Sequence, residues 1–269
     1  MILNSRDTMS GMKRTDASRQ VGLARAPSKL GYCSRSEAFK LIRRGRVRLN
    51  GGLRLHPETP VHLEKDHIQV NGRTLRENQK IYLMLNKPRG IITSATDEKG
   101  RETIYELLDK DWPWVAPVGR LDKASEGLLL LTNDSEWSAR VLAPETHLEK
   151  TYHVQIAAIV NTVLLEKMRK GVRTAGDILR AKSALILRAG ERNTWLEVVL
   201  DEGKNRHIRR MLAQLGIEVI RLVRVAIGPL ALGELPKGSI RQLTAEEKQA
   251  VDRTMESSQT AARKSSQRA

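Results

Sequence analysis

The sequence predicts an α+β fold, in which a mostly antiparallel, mixed sheet is flanked by helices. Two patterns support this class. Apolar and polar residues alternate over short runs at 46–51 and 148–156, and the segment 81–93 contains an apolar strand, a turn with Pro and Gly, and another strand. Short helical segments with capping residues stand between them, as at 34–45 and 163–171. The run at 46–51 ends in an Asn-Gly turn typical of a hairpin, which favours antiparallel pairing.

Composition limits the class of protein. A chain of 269 residues can form one or two domains and bury a substantial core. Its 47 Lys and Arg against 31 Asp and Glu give a net charge of +16, which favours a polyanionic partner, nucleic acid before membrane. The single cysteine, Cys33, excludes an internal disulfide and fits a cytoplasmic location. The longest apolar tract, 156–165, is too short to span a bilayer, so no membrane association is expected.

Both ends of the chain are polar and aperiodic. We expect a disordered basic leader at 1–20 and a disordered tail at 252–269. Between them the sequence predicts a small domain at 21–76 and a larger domain at 80–248, joined by a polar hinge.

The small domain carries a one-sided basic segment. Ser34 followed three residues later by Glu37 is typical of a helix start, and an Asn-Gly turn at 50–51 follows a short strand. A solvated face would mix the two signs of charge, whereas 35–48 holds six basic residues and one acidic residue. We therefore predict a phosphate-binding, and so RNA-binding, surface. Its residues are Arg35, Lys40, Arg43, Arg44, Arg46 and Arg48.

The stretches 29–38 and 42–51 resemble the alpha-L RNA-binding domain, which is shared by a ribosomal small-subunit protein and several RNA enzymes. The resemblance covers about 21–76. One departure is Pro27, which lies where the family continues its first helix. That helix is therefore expected to start near Ser28 or to be kinked.

The larger domain contains an acidic loop between two apolar strands. Gly119 permits a tight turn, and Gly127 opens a four-leucine run that ends in Thr-Asn-Asp. Asp122 stands in the loop between Arg120 and Lys123. A carboxylate held against packed strands beside cations stays ionised and is a candidate nucleophile. The alternative interpretation is a surface ion pair.

Two other segments supply candidate site residues. Lys87 lies in a turn after an apolar strand and is a candidate phosphate contact, although exposed turn cations are common. Tyr152 shares a strand face with Val154 and Ile156, so its ring either packs in the core or stacks on a flipped base.

A strand-to-helix junction at 201–212 carries a cluster of cations. Asn205 is the predicted helix cap. Cations are unfavourable near a helix N-terminus, so the cluster indicates an anion nearby, either phosphate or carboxylate. The alternative is a basic surface helix. The cluster consists of Arg206, His207, Arg209 and Arg210.

No metal or cofactor site is expected. His56, His62 and His67 lack helical metal spacing and cysteine partners. The chain also has neither a Gly-x-Gly-x-x-Gly motif nor a phosphate-binding Gly-Lys-Ser/Thr loop.

Three motifs occur in order in the larger domain: Gly-Arg-Leu-Asp at 119–122 with Glu-Gly-Leu-Leu-Leu-Leu-Thr-Asn-Asp at 126–134, Lys-Thr-Tyr at 150–152, and the cationic stretch 202–211. With the small domain, they resemble the RsuA-type family of RNA pseudouridine synthases over about 21–248. The resemblance implies Asp122 as the catalytic aspartate, Tyr152 as the active-site tyrosine and Arg209 as the basic partner of the aspartate. His207 departs from the glutamine of many relatives, which puts the hydrogen bond of that amide in question.

The resemblance implies an isomerase that converts uridine to pseudouridine in structured RNA, with ribosomal RNA as the expected partner. Because this conversion needs no redox change and no energy input, no cofactor is required, and we expect a monomer. The alternative is an RNA-binding protein that kept the fold without catalysis, and the intact set of Asp122, Tyr152 and Arg209 speaks against it. The expected substrate-binding residues are Arg120, Lys87, Arg206, His207 and Arg210.

Overall fold

The structure is a computed structural model that describes residues 20–94 and 100–266, with side chains as far as 258. The predicted leader lies outside the described residues except for Gln20. The chain folds as two compact units, and the boundary between them falls between Arg76 and Glu77.

The first unit is a small sheet with two short helices. Its four-stranded antiparallel sheet has the order β3-β2-β5-β6, and β1 pairs with β4. Ala26, Ile42, Val47, Ile68 and Val70 are buried together in its core. The elements are β1 (Gln20–Gly22), α1 (Ala26–Lys29), α2 (Arg35–Arg43), β2 (Val47–Leu49), β3 (Gly52–Leu53), β4 (Pro60–His62), β5 (Ile68–Val70) and β6 (Arg73–Thr74).

The two helices test two predictions. Ser34 caps α2, since its hydroxyl accepts a hydrogen bond from the Glu37 amide at 3.0 Å, which confirms the predicted helix start. The helix α1 begins at Ala26, two residues before the predicted start near Ser28. Pro27 lies in the first turn of α1, where a backbone N–H has no helical partner and its loss costs little.

The second unit is built on a nine-stranded sheet of order β13-β14-β10-β15-β9-β7-β17, with β8 added to β9 and β16 to β15. All strand pairs of this sheet are antiparallel except β15 with β9, which confirms the mostly antiparallel, mixed sheet. The elements are β7 (Tyr82–Lys87), β8 (Ala116–Val118), β9 (Glu126–Thr132), α3 (Ser135–Leu142), β10 (Lys150–Ile156), α4 (Thr162–Lys170), β11 (Val172–Thr174), β12 (Asp177–Leu179), β13 (Ser183–Ala189), β14 (Thr194–Leu200), α5 (His207–Gln214), β15 (Val219–Ile227), β16 (Leu230–Ala231), β17 (Ile240–Gln242) and α6 (Ala245–Ser266), with 3₁₀ turns at Ile104–Leu107 and Pro144–Thr146.

One face of this sheet, here called the Tyr152 face, carries two packed clusters. The first buries Val154 and Leu196 of the sheet against Met168 of α4 and Met211 of α5. The second packs β7 and β9 against the segments around Ile104, Val115 and Leu121. Tyr152 packs against both clusters, so it lies where they meet.

The other face, here called the His153 face, is covered by helices over β7 and β9. Leu128 and Leu130 pack there against Trp137 of α3 and against Val251 and Met255 of α6. Successive side chains of a strand point to opposite faces, so His153 lies opposite Tyr152.

Helix α6 corrects one prediction. The sequence predicts disorder from residue 252, but the helix continues to Ser266, and 267–269 lie outside the described residues. Val251 and Met255 stand four residues apart and bury the same stripe against the sheet. Asp252 also accepts a hydrogen bond from the Trp137 indole at 3.0 Å. In the described part of the chain, no helix is both long and apolar enough to cross a membrane.

Candidate active site around Asp122

The loop 119–125 between β8 and β9 is fixed on both sides of Asp122. The Thr93 hydroxyl donates to the Leu121 carbonyl at 2.9 Å and accepts from the Leu121 amide at 3.3 Å. The Gly90 amide donates to the Lys123 carbonyl at 2.8 Å. Gly119 adopts φ +71, a left-handed conformation that favours glycine and turns the chain into the loop. The backbone at Asp122 is therefore held by residues about 30 positions earlier in the chain.

Lys87, the last residue of β7, contacts this loop from the protein interior. Its side chain is 0 % exposed, and its Nζ donates to the carbonyls of Pro88 (3.1 Å), Asp122 (3.3 Å) and Ser125 (3.0 Å). Burial lowers the pKa of Lys87 to about 8, although Asp122 and Glu126 favour its charged form. The prediction that Lys87 contacts phosphate does not fit this position, because the ammonium faces backbone carbonyls inside the protein.

The Asp122 carboxylate itself lies at the rim of the loop. Its side chain is 27 % exposed, and Oδ2 lies 3.6 Å from Nη1 of Arg206. Arg206 precedes α5 in a left-handed backbone conformation, with φ +47. Arg120, two residues before Asp122, is exposed. The carboxylate is thus partly open to solvent, with a cation beside it.

Arg209 contacts the loop backbone instead of the carboxylate. Its Nη2 donates to the Ala124 carbonyl at 2.9 Å and its Nη1 to the Val219 carbonyl at 3.3 Å. Among the described residues, the ion pair of Asp122 is with Arg206, and Arg209 forms no ion pair with it within 4.0 Å. Burial and then Arg206 lower the pKa of Arg209, while Asp122 acts in the opposite direction. Arg209 therefore joins the loop to α5 and β15.

Tyr152 approaches the loop from the sheet. On β10 it lies opposite Val198 of β14 and Arg224 of β15. Its ring packs against the cluster that contains Leu121, the residue before Asp122. The tyrosine ring and the aspartate loop thus belong to one packed region of the Tyr152 face.

Of the predicted substrate contacts, one is buried and another is bonded to residues of a neighbouring hairpin. His207 is only 4 % exposed, and burial lowers its pKa. Arg210 donates to Asp177 Oδ2 at 2.8 Å and to Thr174 Oγ1 at 3.1 Å, which ties α5 to the β11–β12 hairpin. His207 in particular does not fit a direct contact with substrate.

The predicted cap of α5 is wrong. The helix begins at His207, and the capping position is taken by Arg206 without a side-chain hydrogen bond. Asn205 lies one residue too early, because the left-handed turn at Arg206 stands between it and the helix.

In the first unit, all six basic residues predicted to bind RNA are exposed or half-exposed on the surface. Arg43 lies over the ring of Phe39, with Cζ 5.5 Å from the centroid, and Arg48 donates to the Gly51 carbonyl at 3.0 Å. The cations stand on α2, on β2 and in the turn between them, as the sequence predicts, and are available to a polyanion.

Sequence reasoning missed two contacts of the site. Thr93 holds Leu121 across 28 positions of sequence, and no motif marks it. Glu126 is buried in an ion pair with Arg221 and Lys237; burial alone would raise its pKa, but these two cations hold it below its usual value. The described residues contain no group of three or more His, Cys, Asp or Glu placed to hold a metal.

Comparison with known proteins identifies the class. The family model for RNA pseudouridylate synthase matches 81–214, and the model for the S4 domain matches 28–68. An uncharacterized RNA pseudouridine synthase of Aquifex aeolicus is 39% identical, over 80% of this chain and 87% of its own. The ribosomal large subunit pseudouridine synthase B of Bacillus subtilis is 36% identical, over 81% and 89%. A crystal structure of a pseudouridylate synthase covers 86% of this chain and 99% of its own, at 31% identity and a TM-score of 0.61.

The match to the pseudouridylate synthase model, with the S4 match before it, identifies an RNA-modifying isomerase. The chain belongs to the RNA pseudouridine synthase family.

Proposed function

We propose that the protein converts uridine to pseudouridine at a defined position of structured ribosomal RNA, with Asp122 as the catalytic residue and without a cofactor. One observation carries the proposal beyond the family. Lys87 of β7, Arg209 of α5 and Thr93 hold the loop backbone from three separate segments, while the carboxylate of Asp122 remains accessible. A carboxylate that only balanced surface charge would need no such support.

The reaction matches this arrangement. Pseudouridine forms when the bond between uracil and ribose breaks, the base turns over, and it is rejoined through carbon, with no net redox change and no energy input. The base must first leave its stack, which costs a few kcal/mol. Three routes are open to the carboxylate: attack on the sugar, attack on the uracil ring, or removal of a sugar proton. Each route needs an ionised oxygen within reach of the extruded nucleotide.

The other site residues take distinct roles in this proposal. Tyr152 stacks on the extruded uracil and takes part in the proton transfer at the new carbon linkage. Arg206 and Arg120 contact substrate phosphates at the rim of the loop, since both are exposed there. Lys87 and Arg209 act as positioning residues through the loop backbone.

The S4 domain, which lies in the first unit, supplies affinity for RNA. Its surface cations on α2 and β2 bind the phosphate backbone, and this contribution falls steeply as salt rises. The Bacillus subtilis relative is named for the large ribosomal subunit, which supports ribosomal RNA as the substrate class. We propose a monomer that acts in the cytoplasm, where ribosomes are assembled.

Mapping of pseudouridines tests the proposal. Both ribosomal RNAs are sequenced for pseudouridine in cells with and without the gene, and unmodified RNA is then treated with the purified protein. We expect one position, or a few adjacent ones, to lose the modification and to regain it with the protein. Unchanged maps of both RNAs would contradict the ribosomal substrate.

A further inference from the structure

The His153 face contains a cleft over the four strands β13, β14, β10 and β15. Strand alternation places His153, Trp195 and Val223 on this face, because their neighbours Tyr152, Leu196 and Leu222 pack in the cluster on the other face. The cleft has a volume of about 410 Å³. It is lined by His153, Leu187, Arg188, Trp195, Arg221 and Val223.

The indole of Trp195 is flanked by two guanidinium groups. Cζ of Arg188 lies 5.2 Å from the ring centroid and Cζ of Arg221 lies 5.8 Å from it. Arg221 is held in place by its ion pair with Glu126. Arg188, on the edge strand β13, forms no ion pair within 4.0 Å with any carboxylate that the structure describes. The cleft therefore offers an aromatic surface beside one anchored cation and one uncompensated cation.

The wall of the cleft is apolar and open. Leu187, which lines the cleft, and Leu185, which lies on the same strand β13 outside the lining, are exposed large hydrophobic residues. Strand β13 ends the sheet without a further strand in the described chain. An aromatic ring, aliphatic walls and cations are the features with which proteins bind unpaired nucleotides. In such sites the base stacks on the aromatic ring, and the cation binds the phosphate.

We propose that this cleft binds an unpaired nucleotide of RNA, with its base on Trp195 and its phosphate at Arg188. The nucleotide is not the one that is modified, because Tyr152 and His153 project to opposite faces of β10. The RNA passes round the edge of the sheet at β13. The cleft volume suits a single nucleotide, and the uncompensated guanidinium favours a phosphate over an apolar segment of protein.

Binding of hexaadenylate to the full chain tests this proposal. The probe contains no uridine, so its binding does not depend on the isomerase reaction, and absence of pseudouridine formation would leave this measurement unaffected. Fluorescence anisotropy at fixed salt gives the dissociation constant, and ultraviolet cross-linking followed by mass spectrometry gives the contact site. We expect the cross-link in the peptide that contains Trp195.

Substitutions at the ring and at the free cation should separate stacking from charge. Trp195→Leu should weaken hexaadenylate binding about tenfold, whereas Trp195→Phe should keep most of the affinity because a ring remains. Arg188→Gln should weaken binding more than Arg192→Gln, which removes the same charge from the exposed turn of the same hairpin. Melting temperatures show that each variant is folded. If Trp195→Leu does not fold, the proposal is tested by comparing the affinities of Arg188→Gln and Arg192→Gln and by the position of the cross-link in the wild type.

Two results would overturn the proposal. One is equal affinity of the wild type and both arginine variants for hexaadenylate, with cross-links confined to other peptides. The other is a concentration-dependent dimer in sedimentation that Arg188→Gln abolishes without any change in RNA affinity, since the cleft would then be an interface between two copies of the chain.

Discussion

The ammonium of Lys87 donates a hydrogen bond to the backbone carbonyl of Asp122 across 3.3 Å, from a position with no solvent exposure. The same ammonium bonds the carbonyl of Ser125, three residues further along the loop. One buried cation thus fixes two points of the loop that presents the carboxylate.

Removal of this cation should impair catalysis more than RNA binding. Lys87→Met keeps the length and apolar packing of the side chain but removes its three hydrogen bonds to carbonyls. A displacement of the carboxylate by about 1 Å can lower the rate by about a hundredfold. We therefore expect kcat to fall by about that factor while the dissociation constant for RNA stays within about twofold. Lys110→Met, at an exposed lysine of the same unit, is the control and should change neither value.

The pKa of Lys87 predicts a pH dependence of stability. Burial lowers the pKa in the folded protein from 10.5 to about 8. Between pH 8 and 10.5 the unfolded chain therefore holds a proton that the folded chain has released, so the free energy of unfolding rises with pH in this window. Urea unfolding of the wild type and of Lys87→Met at about pH 7.5 and about pH 10 isolates this group. Between these two pH values, the free energy of unfolding of the wild type should rise relative to that of the variant. A fall would show that the folded protein favours the charged form of Lys87.

The two arginines near the loop should differ in their effect on stability. Arg209→Gln deprives the carbonyls of Ala124 and Val219 of a donor in a partly buried position, which we expect to cost about 1–3 kcal/mol. Arg206→Gln removes a partly exposed ion pair with Asp122 and should cost less than about 1 kcal/mol. Urea midpoints measure both values. Equal midpoints for the two variants would contradict the assignment of Arg209 as the residue that holds the loop.

Gly127 should tolerate no side chain. It adopts φ +102, and a Cβ there would lie 2.3 Å from the carbonyl oxygen of Arg224 on the paired strand β15. Strain and overlap together should cost about 3 kcal/mol or more in Gly127→Ala. Gly176→Ala is the matched control, because Gly176 also has a positive φ but, apart from its chain neighbours, no described residue lies within 4 Å of the added methyl group. The control should cost about 1–2 kcal/mol in the same urea titration.

Local signals in the sequence predict much of the fold. The Asn-Gly turn at 50–51 forms, with φ +51 and +79, and joins β2 to β3 as expected of a hairpin. The helix cap at Ser34 involves a residue only three positions away, so the sequence predicts it as well as it predicts the turn. The alternation of Tyr152 with Val154 and Ile156 places one face of β10 in the core.

The misses depend on contacts between distant residues. The left-handed backbone at Arg206 displaces the start of α5 by one residue and brings that arginine to Asp122. Because Arg206 is not a glycine, the sequence does not predict a left-handed conformation there. The burial of Lys87 and His207 requires strands and loops far apart in sequence to close over them. Helix α6 extends past 252 because Val251 and Met255 meet the sheet, in a segment whose composition alone suggests disorder.

The most direct test of the central claim is the pseudouridine formed by Asp122→Asn. The amide has nearly the same shape as the carboxylate but no charge, so it keeps the loop and removes the reactive oxygen anion. The purified variant is incubated with unmodified ribosomal RNA, with Asp111→Asn, at an exposed aspartate of the same unit, as the control. We predict no detectable pseudouridine, with RNA affinity equal to that of the wild type. Pseudouridine formation by Asp122→Asn at the wild-type rate would contradict the account.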